Sequence, residues 1–242
     1  WSLPFLCKRT IKETMTTALT ETTRHPLINL GGLAQNKYAT NESLSTEIKT
    51  NTFLPYMKLY GSNSNEVKER KIPCGSYGMY DNQSLVDLGE VVNAMPIAWR
   101  WKAVRIVGEL FETYFNPNTE DFKSIKENAK AKITGNMFGP EVLLWLPDSK
   151  KFATWHMSNE SAQRESGNLT SACGTPVVLK CRLASSKKFK WEAPVILASS
   201  TPIDLPDEAE LVRIAESFAN PRETENTQVS SEAAESVDSD RR

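Results

Sequence analysis

The run EVVNAMPIAWRWKAVRI, residues 90–106, alternates apolar and polar side chains over most of its length. A period of two is the period of a β-strand, which sends successive side chains to opposite faces. A strand this long cannot stand alone and needs neighbours on both edges and cover for its apolar face. The chain supplies candidates. FLPYMKLYG (53–61) reads as a short strand, and GSYGMYDNQSLVDLG (75–89) as short strands around Gly and Asp-Asn turn signals. EVLLWLPDSKKFATWHM (141–157) reads as two strands around Pro147-Asp148-Ser149-Lys150, a type I turn composition. TPVVLKCRLASSKKFKWEAPVIL (175–197) reads as two more around Ala184-Ser185-Ser186. Gly75, Gly78, Gly89 and Gly108 are scattered as turn glycines are.

Helical signals are fewer. DEAELVRIAESFA (207–219) opens on acids and places Leu211, Ile214, Ala215 and Phe218 at helical spacing. SNESAQRESGNLTSACG (158–174) opens on a Ser158 or Asn159 cap, and PNTEDFKSIKENAKAKI (117–133) is a weaker helix or part of a long insertion. The fold expected is therefore mainly β with minor α. The strand order suggests a small five-stranded Greek-key barrel of the OB type, carrying a C-terminal helix. The barrel domain is expected at 53–219, with an insertion at about 108–140.

The net charge of −1 conceals an asymmetry. Asp207–Arg242 holds ten acids and four bases, −6, which leaves +5 on the rest. Residues 220–242 have almost no large apolar side chain, and such composition predicts a disordered acidic tail. Residues 1–52 read as a largely disordered extension. Within it, 1–14 read as translated leader that is not native, because Met15 opens an ordinary polar N-terminus and Lys12-Glu13 suits a ribosome-binding site in the coding DNA. The apolar WSLPFLC at the start has its basic residues after it, the wrong order for a secretory signal. No apolar run approaches a bilayer span, so no membrane partner is expected. Cys7, Cys74, Cys173 and Cys181 share no metal-ligand spacing and read as free thiols of a reducing, cytoplasmic compartment.

Catalytic patterns are missing: there is no phosphate loop, dinucleotide fingerprint or nucleophile elbow. His156 stands without a nucleophile beside it in sequence. The expectation is a protein that is not an enzyme and carries no metal or cofactor. What stands out is KCRLASSKKFKW (180–191), with five basic residues, two aromatics and no acid. Alternation about its turn sets Phe189, Trp191 and Ala193 on the core side with Val177, Leu179, Cys181 and Leu183. It gathers Lys180, Arg182, Lys188 and Lys190 on the outer face. Like charges facing each other destabilise a sheet unless a polyanion or solvent answers them.

Two other segments mix bases with aromatics. In AWRWKAVR, Trp99 and Trp101 share a face with Ile97 and Ala103, opposite Arg100 and Lys102. Lys150 and Lys151 sit at a hairpin tip beside Phe152, Trp145 and Trp155. Bases that track phosphates, with aromatics on which nucleobases stack, are the chemistry of single-strand binding. Trp99, Trp101 and Trp155 are the expected stacking residues, and Lys150, Lys151, Arg100 and Lys102 join the hairpin's four bases. The expected partner is single-stranded DNA or RNA. Replication or recombination proteins are expected on the acidic tail, and the runner-up is a virion or assembly protein.

LPYMKLYGSNSNEVKERKIPCGSYGMY (54–80), followed by LGEVVNAMPIAWRWKA (88–103), resembles a diffuse group of tailed-phage early-region proteins. Pro55, Lys58, Leu59, Gly75, Tyr77 and Pro96 carry the resemblance. It covers about 53–105 and, less clearly, 141–218. It implies a phage or prophage origin, action in the host cytoplasm, and a single-stranded DNA-binding role on an OB-like barrel in replication or recombination. No functional residue carries over with it.

Overall fold

The computed structural model describes residues 54–219 apart from 82 and 109. The expectations for the extension at 1–52, for the acidic tail and for Cys7 lie outside the described residues. Among the described residues the chain forms nine strands: β1 (Tyr56–Leu59), β2 (Tyr77–Asp81), β3 (Ser84–Gly89), β4 (Val91–Val107), β5 (Leu110–Tyr114), β6 (Asn136–Leu146), β7 (Lys151–His156), β8 (Val177–Ser185) and β9 (Lys190–Ala198). Four helices accompany them: α1 (Asn65–Lys68), α2 (Glu120–Lys130), α3 (Glu160–Ser171) and α4 (Glu208–Ala219). The protein is mainly β. Its strands run in the order β3-β2-β1-β7-β6-β4-β8-β9, with β5 added on β4, nine strands where five were expected. All neighbours are antiparallel except β1 and β7.

β4 organises the sheet. β6 pairs along Met95–Arg105, β8 along Val91–Ala94 and β5 along Ala103–Val107. The interval expected to be an insertion is thus integral: it supplies β5, α2 and the first part of β6. A register shift between Pro96 and Ala98 leaves Ile97 as an extra residue in β4. Proline lacks the N–H a ladder needs, so it sits at such a bulge without loss of a bond. The bulge also exchanges the faces. Val92 and Ala94 join one core, Met95, Ile97 and Ala98 join the other, and Trp99 returns to the first. Ile97 and Trp99 therefore do not share the face that alternation assigned them.

The first core takes Met57, Tyr77 and Met79 from β1 and β2, Val142 and Leu144 from β6, and Leu179 and Ile196 from β8 and β9. Ala162 and Leu169 of α3 cover it. Strands from the two ends of the path share one core, so the sheet is curled. Polar contacts stitch the approach: Tyr77 Oη donates to the Lys180 carbonyl at 3.0 Å, and Ser62 N–H to Glu192 Oε2 at 3.2 Å. β2 approaches its neighbours closely at Gly78, where a Cβ would lie 2.6 Å from Ile72 Cδ1 and Tyr60 Cε2. The second core lies on the reverse face under α4, whose Leu211, Ile214, Ala215 and Phe218 are all buried, as their spacing predicts. α3 starts where Asn159 Oδ1 accepts from the Ala162 N–H, and α2 where Thr119 Oγ1 accepts from the Phe122 N–H. Such caps satisfy donors that a helix start leaves open. Cys74, Cys173 and Cys181 are free thiols. Among the described residues no helix is long and apolar enough to cross a membrane.

Candidate nucleic-acid interface

β8 pairs with the first residues of β4 up to Lys180 opposite Val91, and then continues with β9 alone. The remainder of the β8–β9 hairpin runs past the end of β4. Its loop, 186–189, closes with Ser186 N–H on the Phe189 carbonyl at 2.8 Å. Lys180, Arg182, Lys188 and Lys190 are all exposed, and so is Lys187 beside them. None of them forms an ion pair among the described residues.

The register divides the four bases. Arg182 faces Ala193, Lys180 faces Val195 and Ala184 faces Trp191, so these residues share a side. Leu183 faces Glu192 and Ser185 faces Lys190, which puts Lys190 on the other side. Lys188 belongs to the loop. The expected single basic face is therefore a basic arm with charge on both sides and at its tip. The apolar residues shift accordingly. Phe189, expected in the core, is 70% exposed, and Leu183 is 64% exposed. Trp191 is half-buried and so is Cys181, while Val177, Leu179 and Ala193 of that set are buried as expected. Phe189 is the functional candidate that alternation missed. Its flanking lysines, KKFK, are the signal that could have exposed it, since a core phenylalanine seldom follows two charges into a loop.

The other expected site residues separate into two groups. Trp101 is exposed, its ring stacked on Phe138 at 5.1 Å and edge-on to Trp99 at 5.6 Å. Lys126 Nζ lies 5.4 Å from the Phe138 centroid. Trp99 is half-buried and packs on the first core. Lys150 is exposed in the turn 147–150, and Lys151 is exposed but paired with Asp81. Trp155, by contrast, is buried in the first core, edge-on to Tyr77 at 5.7 Å, so it offers no stacking platform at the surface.

Arg100 and Lys102 are turned inward. Arg100 donates through Nε (2.8 Å) and Nη2 (2.6 Å) to Oε2 of the buried Glu141, and through Nη1 to the Phe218 carbonyl. Its guanidinium lies between the rings of Phe115, 3.8 Å away, and Phe218, 4.0 Å away. Lys102 Nζ donates to Glu141 Oε1 at 2.6 Å. Burial would raise the Glu141 pKa, but Lys102 and Arg100 hold it down at about 2. His156 borders this cluster, with its Nε2 buried and without a hydrogen-bond partner among the described residues. Burial, reinforced by Lys102, lowers the imidazole to about 4. These charges anchor α4 to the sheet and are not available to a phosphate.

Among the described residues no three His, Cys, Asp or Glu side chains are placed to hold a metal ion. Comparison of the chain with protein-family models, with curated proteins and with solved structures finds no match.

Proposed function

We propose that the protein binds single-stranded nucleic acid, with the β8–β9 hairpin as its principal contact, and does so without catalysing a reaction. The observation that carries this reading is Phe189: a large aromatic 70% exposed at the tip of an arm with five basic side chains that form no ion pair among the described residues. A solvated edge guard uses lysine alone and gains nothing from an exposed ring. Phosphates answer the charges on both sides of the arm, and an unstacked base answers the ring. Trp101, stacked on Phe138, is a second platform for a base. The curled sheet, whose two ends share one core, supports an OB-like barrel as the fold, and the resemblance to tailed-phage early proteins supports a role in phage or bacterial replication or recombination.

The test is binding of fluorescent oligo-dT across a salt series. Wild-type protein binds saturably, with affinity falling linearly on a log–log plot. A variant with Lys180, Arg182, Lys188 and Lys190 all changed to Gln keeps its fold and flattens the slope by up to about 3–4, near one for each phosphate no longer neutralised. Absence of saturable binding at low salt overturns the proposal. An unchanged slope in the variant overturns the hairpin's part in it.

A second reading, an assembly protein, has one observation in its favour. At the far end of β4 from the hairpin, Val107 and Phe111 are exposed on opposite sides of the β4–β5 hairpin, and Ile133, just before β6, is exposed as well. Concentration-dependent sedimentation that Phe111→Ser abolishes would support it.

A further inference from the structure

Where β9 approaches the segment after β1, the curled sheet leaves a cleft of about 430 Å³. That size falls inside the roughly 300–1,000 Å³ span of small-ligand sites. Leu59, Trp155, Trp191 and Pro194 supply its apolar walls. Among the described residues its polar lining is serine and asparagine, with no lysine or arginine, and its one charge is Glu192. A phosphate or carboxylate ligand would find repulsion from Glu192 there. A flat, neutral, partly apolar ligand able to donate hydrogen bonds fits.

Glu192 is held ready. Cys74 Sγ donates to Oε1 at 2.9 Å and the Ser62 N–H to Oε2 at 3.2 Å, each leaving a further lone pair. Gly61 permits the approach, since a Cβ there would lie 2.8 Å from Oε2. The Cys74 and Ser62 hydrogen bonds hold the carboxyl below its ordinary pKa, so it is ionised at neutral pH. Burial first, then Glu192, raises the Cys74 thiol to about 11, so it remains a donor. Lys190 lies two residues from Glu192 on the same side of β9, which joins the cleft to the basic arm.

We infer that the cleft takes one unpaired nucleobase bearing an exocyclic amine, adenine, cytosine or guanine, against Trp191 at its wall with its amine donating to Glu192. This rests on the single-strand-binding reading above and adds a base preference to it. A carboxylate accepts from an exocyclic amine, as Glu and Asp do from cytosine N4. Thymine and uracil present a ring N–H between two carbonyl oxygens, and those oxygens repel the carboxylate.

Nucleosides test the cleft without phosphates, read by the protein's tryptophan fluorescence, to which Trp155 and Trp191 contribute. Adenosine and cytidine should give saturable changes, with thymidine weaker by about tenfold, the scale of one missing hydrogen bond to a charged group. Glu192→Gln should abolish the difference. Ser161→Phe, which fills the cleft from the first turn of α3, should abolish all three responses and decides the matter alone if Glu192→Gln does not fold. Equal affinity for thymidine, no saturable response to any nucleoside, or a preference that survives Glu192→Gln overturns the inference. Salt-sensitive oligo-dT binding without nucleoside binding would leave the basic arm and remove the cleft. Nucleoside binding without salt-sensitive oligonucleotide binding would keep the cleft and remove the arm.

Discussion

Glu141 is shielded from water between two cations, and each of its oxygens takes one of them. A buried ion cluster is costly to assemble and costlier to break, because removing one member strands the others. Glu141→Gln leaves Arg100 and Lys102 facing each other and should destabilise the protein by about 3–5 kcal/mol in urea denaturation. His156 gives the same region a dependence on pH. The unfolded imidazole takes up a proton near pH 6.5, while the folded one resists until about 4. The unfolded state thus binds more protons through that window, so stability is full above pH 6.5 and falls as pH drops toward 4. The loss should reach about 3 kcal/mol, and His156→Phe should remove it. Glu141, whose folded pKa is depressed, adds a second loss that begins near pH 4.5 and continues toward 2. Urea midpoints measured across pH 3–8 on wild type and His156→Phe check both signs. Nothing in the one-dimensional sequence distinguishes Arg100 and Lys102 from surface bases. Alternation correctly puts them opposite Trp101, but that face is covered by α4, more than a hundred positions along the chain.

The β8–β9 hairpin is where an element's turn decides the chemistry of its faces. A turn centred on Ala184-Ser185-Ser186 pairs even residues with even ones and gathers four bases on one side. The observed loop, 186–189, moves the pairing by an odd number of positions, which sends Lys190 and Trp191 to the opposite faces. Strand existence was legible here, as it was for β4 and for the apolar stripe of α4, because periodicity is local. The turn's centre was not, because Ser-Ser-Lys-Lys contains neither the glycine nor the proline that would fix it. The bulge at Pro96–Ala98 is a similar case, with the proline visible and the extra residue not. The corrected register makes a prediction at the tip. Phe189→Ala should leave the urea midpoint unchanged, since its ring is exposed, and should weaken oligo-dT binding by about 1–3 kcal/mol, the range for one base–aromatic stack. Trp155→Ala should cost about 3–5 kcal/mol of stability by opening a cavity in the first core. A Phe189→Ala protein that binds oligo-dT as wild type does would reduce the arm to its charges.

At the scale of the molecule, charge and apolar surface are sorted along β4. The basic arm projects beyond its first residues, and the exposed Val107, Phe111 and Ile133 lie at its last. The acids that balance the arm are concentrated after α4: residues 221–242 hold six acids and three bases. A polyanionic segment tethered to the same chain competes with a nucleic acid for the same cations at a high effective concentration. The competitor need not fold to do so. Removing residues 221–242 takes the chain from −1 to +2 and should tighten oligo-dT binding at low salt by up to about tenfold. The gain should close as salt rises, because screening weakens tail and oligonucleotide alike while the tail-free arm releases more counterions on binding. The truncated protein should therefore show the steeper salt dependence, with its thermal midpoint unchanged. Fluorescence anisotropy of the two proteins between about 50 mM and 300 mM salt makes the comparison. Coincident curves would mean that the tail's acids do not meet the arm, and would leave them for a protein partner instead.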